Sequence, residues 1–225
     1  MHRHIFHGTS QIFEVPVFGA GNYRNDYGLG FYCTKDPALA SEWAVSKERD
    51  GWVNSYVLEL NGLRILNLHD RKFNVMHWLA ILLENRRFHI DFTLGRRARD
   101  YILENFHTDY RSHDVIIGYR ADDSYFSYAE AFIGGMISYS QLRRAMRLVN
   151  LGDQIVLVSQ QAFGQVQFNG RRPCLRSEWL SPRENRETTA RRRFQSMMAE
   201  PFSADDLYIR EIILEGISDN DPRLS

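Results

Sequence analysis

The chain has 225 residues, with 28 Lys and Arg against 28 Asp and Glu, so it carries no net charge and no global basic signature for nucleic acid. With 44% hydrophobic and 25% charged residues it can bury a core, either as one large domain or as one domain with a C-terminal extension. Its two cysteines, Cys33 and Cys174, supply neither a disulfide framework nor a zinc spacing, which makes a reducing compartment the default.

The elements are expected in the following order. A short strand covers His4-Ile5-Phe6 and ends at His7. Residues 10–28 form a polar loop with Gly19, Gly21, Asn22 and Asn25, and Gly30–Thr34 is an aromatic strand. A helix starts at Asp36-Pro37, a cap followed by a first-turn proline, with Ala38, Ala40, Trp43 and Ala44 at helical spacing. Strands follow at Asn54–Leu60 and Ile65–Leu68. Asn74–Arg86 predicts an amphipathic helix with Val75, Trp78, Leu79 and Leu82 on one face, and Arg96–Phe106 a second. Asp114–Gly118 is a short apolar strand. Ser127–Ile133 and Ser138–Leu148 are helices, and Gln154–Val158 and Val166–Phe168 are strands. Ser181, Pro182 and Glu184 form a helix start signal for a segment running to Met198. Asp206–Leu214 fits a strand or a helix. Helices between mixed strands define an α+β fold. No apolar run is long enough to cross a bilayer, and the N-terminus shows no signal-peptide pattern. The expectation is a soluble, cytoplasmic protein with no membrane partner.

The candidate chemistry lies in His7-Gly8-Thr9 and in Asp26-Tyr27-Gly28-Leu29-Gly30-Phe31-Tyr32-Cys33-Thr34. A glycine backbone can approach and pair with an amide. A neighbouring histidine can bond a sugar hydroxyl. Aromatic rings can face a pyridinium cation, and Tyr32 and Trp43 are spaced to bracket one flat ring across a strand–turn–helix. Taken singly, His7 could satisfy a carbonyl, Gly28 and Gly30 could be turn glycines, and Tyr32 or Trp43 could be core. Their joint order carries the reading. Asn22 and Arg24, in the loop of residues 19–25, are candidates to reach phosphates from a lid over the site, against the plainer reading of a mobile surface loop. The other histidines show no metal-ligand spacing, so no metal is expected. The arginines at 183–193 could bind RNA or an acidic partner, but a solvated helix face is the favoured reading.

The stretch Tyr27–Tyr32 followed by Ala40-Ser41-Glu42-Trp43 resembles the signature of ADP-ribosyltransferases related to diphtheria toxin and the poly(ADP-ribose) polymerases. More narrowly, Asp114–Gly118, Ala121–Asp123, Tyr125-Phe126 and Gly152–Gln154 resemble an uncharacterised bacterial family of that type. The resemblance covers residues 4–170. It implies a split β-sheet core with flanking helices and a helical C-terminal extension, divided as a catalytic domain over 1–170 and an extension over 171–225. It implies NAD as substrate, with His7, Tyr32 and Gln154 as catalytic positions and His7, Gly8, Thr9, Tyr32 and Trp43, with Asn22 and Arg24, around the dinucleotide. Gln154 stands where that superfamily often has Glu, which implies transfer of a single ADP-ribose and not polymer synthesis. Asp153, Asp122, Asp123 or Glu130 could supply the missing charge; for Asp122 and Asp123 a capped turn is an equal reading. The implied activity is that of a toxin that modifies a protein or nucleic acid and is restrained by an antitoxin, in a toxin–antitoxin or phage-defence setting. An NAD glycohydrolase, or an inactive nucleotide- or partner-binding module on the same fold, are the alternatives.

Overall fold

The computed structural model describes residues 1–120, 123–148, 153–203 and 205–224. The elements, in chain order, are β1 (His2–Thr9), β2 (Phe31–Cys33), α1 (Pro37–Ala44), β3 (Gly51–Glu59), β4 (Ile65–Asn67), α2 (Val75–Asn85), α3 (Thr93–Asn105), β5 (Val115–Gly118), α4 (Asp123–Ile133), α5 (Tyr139–Leu148), β6 (Gln154–Leu157), α6 (Gln160–Gly164), β7 (Val166–Cys174), α7 (Arg176–Met198) and α8 (Ile209–Leu214). The fold is α+β.

The chain divides into two compact units, each drawn from three segments. The first comprises residues 1–67, 109–120 and 151–188; the second comprises 68–108, 121–150 and 189–225. Position 170, the boundary expected from the sequence, lies inside β7, and the first unit continues to Thr188.

Among the described residues, the first unit holds all seven strands. One sheet has the order β1-β3-β7, fully antiparallel; the other has the order β2-β6-β5-β4, with only β4 and β5 parallel. Strand alternation sends one face of each sheet into a shared core. Ile5, Tyr56 and Leu58 come from the first sheet, and Cys33, Val115, Ile117, Ile155 and Leu157 from the second. The other face of the first sheet carries Phe6 and Val53, which pack with Ala40, Ala44, Val45, Cys174 and Trp179. α1 approaches that face closely. A Cβ on Gly8 would lie 1.7 Å from the Ala40 carbonyl oxygen, and one on Gly51 would lie 1.9 Å from that of Ala44. Asp36 caps α1, accepting from Ala38 and Leu39 N–H groups at 2.8 and 3.3 Å.

β7 extends well beyond the expected Phe168. Its polar run Asn169–Pro173 hides the strand from a hydrophobic reading, yet it pairs with β3 as an edge, where Pro173 is tolerated. α7 starts at Arg176 and carries Pro182 in its interior, in place of the start expected at Ser181. Two contacts explain the earlier start. The Asp50 carboxylate accepts from the Arg176 N–H at 2.7 Å, and Trp179 packs into the α1 cluster. This tertiary anchorage accompanies a helix that runs through Pro182, where an interior proline usually costs about 3 kcal/mol.

The arginines of this region serve internal contacts. Arg172 donates to Ser41 Oγ at 2.7 Å, Arg183 to the Val45 carbonyl at 2.5 Å, and Arg171 to Glu14 at 3.0 Å. Arg186 grips the buried Glu42 with two bonds of 2.7 and 2.8 Å. The N-terminal half of α7 is thus tied to α1 rather than presented as a free basic face.

The second unit is helical. α2 is buried from Val75 through Leu83 without interruption, because Met76, Ile81 and Leu83 make it apolar on all sides; it is a core helix and not the amphipathic one expected. Asn74 caps it, and His77 Nδ1 accepts from the Asn74 N–H at 3.1 Å. The segment expected as strand or helix near the C-terminus is the helix α8.

Candidate functional site

In the first unit His7 and Gly8 lie near the end of β1, beside β2, which carries Tyr32, and Gln154 opens β6, the next strand beyond β2. Because Ile5 enters the inter-sheet core and Phe6 turns the other way, His7 falls on the core side of β1, half-buried at its margin. Its ring centroid lies 4.6 Å from that of Phe31 and 6.0 Å from that of Phe13. His7 Nδ1 sits 2.7 Å from the Tyr32 carbonyl oxygen. A carbonyl only accepts, so Nδ1 carries the hydrogen. Burial lowers the imidazole pKa below its ordinary 6.5, outweighing the smaller upward push of that hydrogen bond. The ring is therefore neutral at neutral pH, with its lone pair on Nε2.

Gly8 presents its backbone to the same place. Phe6 and Thr34 exchange both backbone hydrogen bonds, at 2.8 and 2.9 Å, in an isolated bridge between β1 and β2. The N–H and C=O of Phe6 therefore point toward β2. By the antiparallel pattern, those of Gly8, two residues on, point the same way and away from β3. Among the described residues neither group of Gly8 has a hydrogen-bond partner. One residue thus offers an unused donor and acceptor side by side, next to a neutral histidine. The space left by the absent Gly8 side chain is filled by α1, so glycine is required here by helix packing and not by ligand approach. Thr9 ends β1 opposite Trp52.

Tyr32 pairs with Val156, on the sheet face opposite the core residues Phe31 and Cys33. Its hydroxyl donates to the Gly28 carbonyl at 2.7 Å and accepts from the Tyr27 N–H at 3.0 Å. Gly28 adopts φ +75°, a conformation that glycine takes without strain. The phenol thus closes its own turn. Tyr27, fully buried, donates to the Tyr119 carbonyl at 2.6 Å, and burial, first of all, raises its pKa well above the ordinary range.

Gln154 opens β6 opposite Gly118 and lies two residues from Val156, so it shares the face of Tyr32. It is 7% exposed, and its Oε1 is buried with no hydrogen-bond partner among the described residues. An unpaired buried carbonyl costs about 1–3 kcal/mol. The neighbouring Asp153 is compensated by Lys35 Nζ at 2.8 Å.

Trp43 is half-buried in α1. The Arg120 guanidinium lies 4.7 Å from its ring centroid, and Trp43 Nε1 is buried without a partner. One face of the indole expected to stack a pyridinium is therefore already occupied by a cation. Asn22 and Arg24 are exposed and engaged locally: Asn22 Oδ1 accepts from the Arg24 N–H at 2.9 Å, and the Arg24 guanidinium lies 5.4 Å from the Tyr23 ring. Glu130 belongs to the helical unit, on α4, where it accepts from the His89 N–H at 3.3 Å. Asp122 lies outside the described residues, as does the side chain of Asp123.

Several neighbours of these residues carry no local sequence signal. Phe13 and Phe31 frame His7. Buried Asn54 pins the adjoining loop, donating to the Gln11 carbonyl at 3.1 Å and accepting from the Phe13 N–H at 3.2 Å, and the Tyr56 hydroxyl donates to the Phe13 carbonyl. Arg120 was signalled only by its place just after a buried strand. Among the described residues no cluster of three His, Cys, Asp or Glu could hold a metal, and no helix is long and apolar enough to cross a membrane.

A family model described as a protein of unknown function, DUF3990, matches residues 3–168, and the chain belongs to that family. No curated protein and no solved structure matches it.

Proposed function

We propose that this chain is an NAD-consuming mono-ADP-ribosyltransferase with the split-sheet core of that superfamily, transferring one ADP-ribose to a macromolecular acceptor. The observation that carries the reading is the open N–H and C=O of Gly8 on the edge of β1. A primary carboxamide presents a carbonyl and an amide hydrogen side by side, the complement of that pair. Nicotinamide held there would place its ribose toward His7, whose Nε2 lone pair suits a sugar hydroxyl.

In the reaction the bond between C1′ of the ribose and the nicotinamide nitrogen breaks. Its electron pair leaves with nicotinamide, which becomes neutral, and positive charge builds on the ribose. The Gln154 carbonyl, buried and unpaired, offers its dipole to that charge or accepts from a ribose hydroxyl. An acceptor nucleophile then bonds to C1′ and releases its proton to solvent. A neutral amide cannot serve as a base, and Asp153 is paired with Lys35, which favours a single transfer to a nucleophile that needs little activation. A toxin role, with an antitoxin that covers this site in the cytoplasm, is the biological setting we propose.

The test is incubation with NAD labelled in the adenylate part, with and without cell extract. Label on protein or nucleic acid is expected, with free nicotinamide in equal amount. Free ADP-ribose without a labelled acceptor identifies a glycohydrolase, and intact NAD overturns catalysis. Gln154→Ala should lower turnover while leaving NAD affinity nearly unchanged.

A further inference from the structure

We infer that Phe13 is the ring that faces the flat, cationic base of the ligand at this site; the inference rests on the NAD reading above. Phe13 lies in the loop after β1 and is 38% exposed. Its backbone is nonetheless tied to the core. Asn54, directly opposite His7 in the register of β1 and β3, accepts from the Phe13 N–H at 3.2 Å and donates to the Gln11 carbonyl at 3.1 Å. The Tyr56 hydroxyl donates to the Phe13 carbonyl. Asn54 and Tyr56 are both fully buried. Three hydrogen bonds from the core thus fix the backbone around a phenyl ring that burial alone does not hold.

The fixed ring stands beside the proposed chemistry. Its centroid lies 6.0 Å from that of His7, at an interplanar angle of 70°. Phe31 also touches the imidazole, but it packs on Tyr56 and Phe163 against the inter-sheet core. The two rings expected to bracket a pyridinium are placed otherwise. Trp43 carries the Arg120 guanidinium on its indole. Tyr32 lies on the sheet face away from the inter-sheet core, with its hydroxyl tied into its own turn. His7 and Gly8 are consecutive, so a base bound along this pair comes beside Phe13. The electron-rich face of a phenyl ring attracts a pyridinium cation and lacks that attraction for a neutral pyridine. Phe13 therefore favours nicotinamide while it is joined to ribose and charged, and the attraction is lost once the bond breaks and the base is neutral. Its role is in binding and in product release.

Titration with the 1-methylnicotinamide cation, neutral nicotinamide and ADP-ribose as separate probes tests this, followed through backbone amide resonances in wild type, Phe13→Leu and Phe13→Tyr. Wild type should bind the cation more tightly than nicotinamide. Phe13→Leu keeps apolar bulk and removes the aromatic face. It should weaken the cation about fivefold, with nicotinamide changed less than about twofold and ADP-ribose unchanged. Phe13→Tyr should keep the wild-type preference for the cation. Equal loss of all three probes in Phe13→Leu makes Phe13 a support of the loop and overturns the inference. Unchanged affinity for the cation in Phe13→Leu, with ADP-ribose still bound, overturns it and leaves the NAD reading standing. A wild type that binds none of the three overturns both readings.

Discussion

Gly8 does two things at once, and they can be separated. Its Cα is pressed by α1, so a methyl group there must move the helix. Gly8→Ala should cost about 3 kcal/mol of stability in chemical denaturation; a loss of NAD turnover in that variant would report the displaced helix and not ligand contact. A stability equal to wild type would show that α1 does not press on Gly8 as described. His7 gives a cleaner handle. Its pKa is lowered in the folded chain, so below 6.5 the unfolded imidazole takes a proton that the folded one refuses. Its effect on stability is therefore absent above that value and destabilising as pH falls. His7→Gln should flatten this part of the curve below about pH 6.5, measured as melting temperature in wild type and variant. Parallel curves would mean that the ring is not held neutral. Gln154 is the third informative residue, since its carbonyl is buried without a partner and a ligand hydroxyl would supply one.

The α1–α7 contact is where the sequence and the folded chain differ most in meaning. The crowd of arginines between 171 and 193 was visible in the sequence, but its partners were not, because they lie far away in the chain: Glu42 is 144 positions from Arg186. Local patterning carries no information about such pairs, and for the same reason it placed the start of α7 at Ser181. Strands with alternating or continuous apolar residues, such as β3, β5 and β6, were legible, and so was α1 with its Asp36-Pro37 start. β7 was legible only in its first residues, because an edge strand needs no apolar face. The candidate residues were legible as residue types in order; the tautomer of His7 and the edge position of Gly8 needed the pairing of strands. Removing Arg186 leaves the carboxylate of Glu42 buried at 7% exposure without its partner. Arg186→Ala should therefore cost about 3 kcal/mol in denaturant unfolding. Glu42→Gln combined with Arg186→Met should cost less than the single change. A single variant as stable as wild type would show that this tie contributes nothing to holding α1.

At the scale of the whole molecule, one unit carries every strand among the described residues and the proposed chemistry, and the other is helical. The NAD reading concerns the first unit alone and depends on a single backbone position being open to an amide. His7-Gly8 is the only His-Gly step in the chain. Labelling histidine carbonyls with ¹³C and glycine nitrogens with ¹⁵N therefore isolates the Gly8 amide as one resonance in the intact protein. Titration with nicotinamide should shift that resonance and slow the exchange of its hydrogen, and NAD should do the same at lower concentration. A Gly8 signal that stays in place through saturating nicotinamide and NAD would contradict the proposed site.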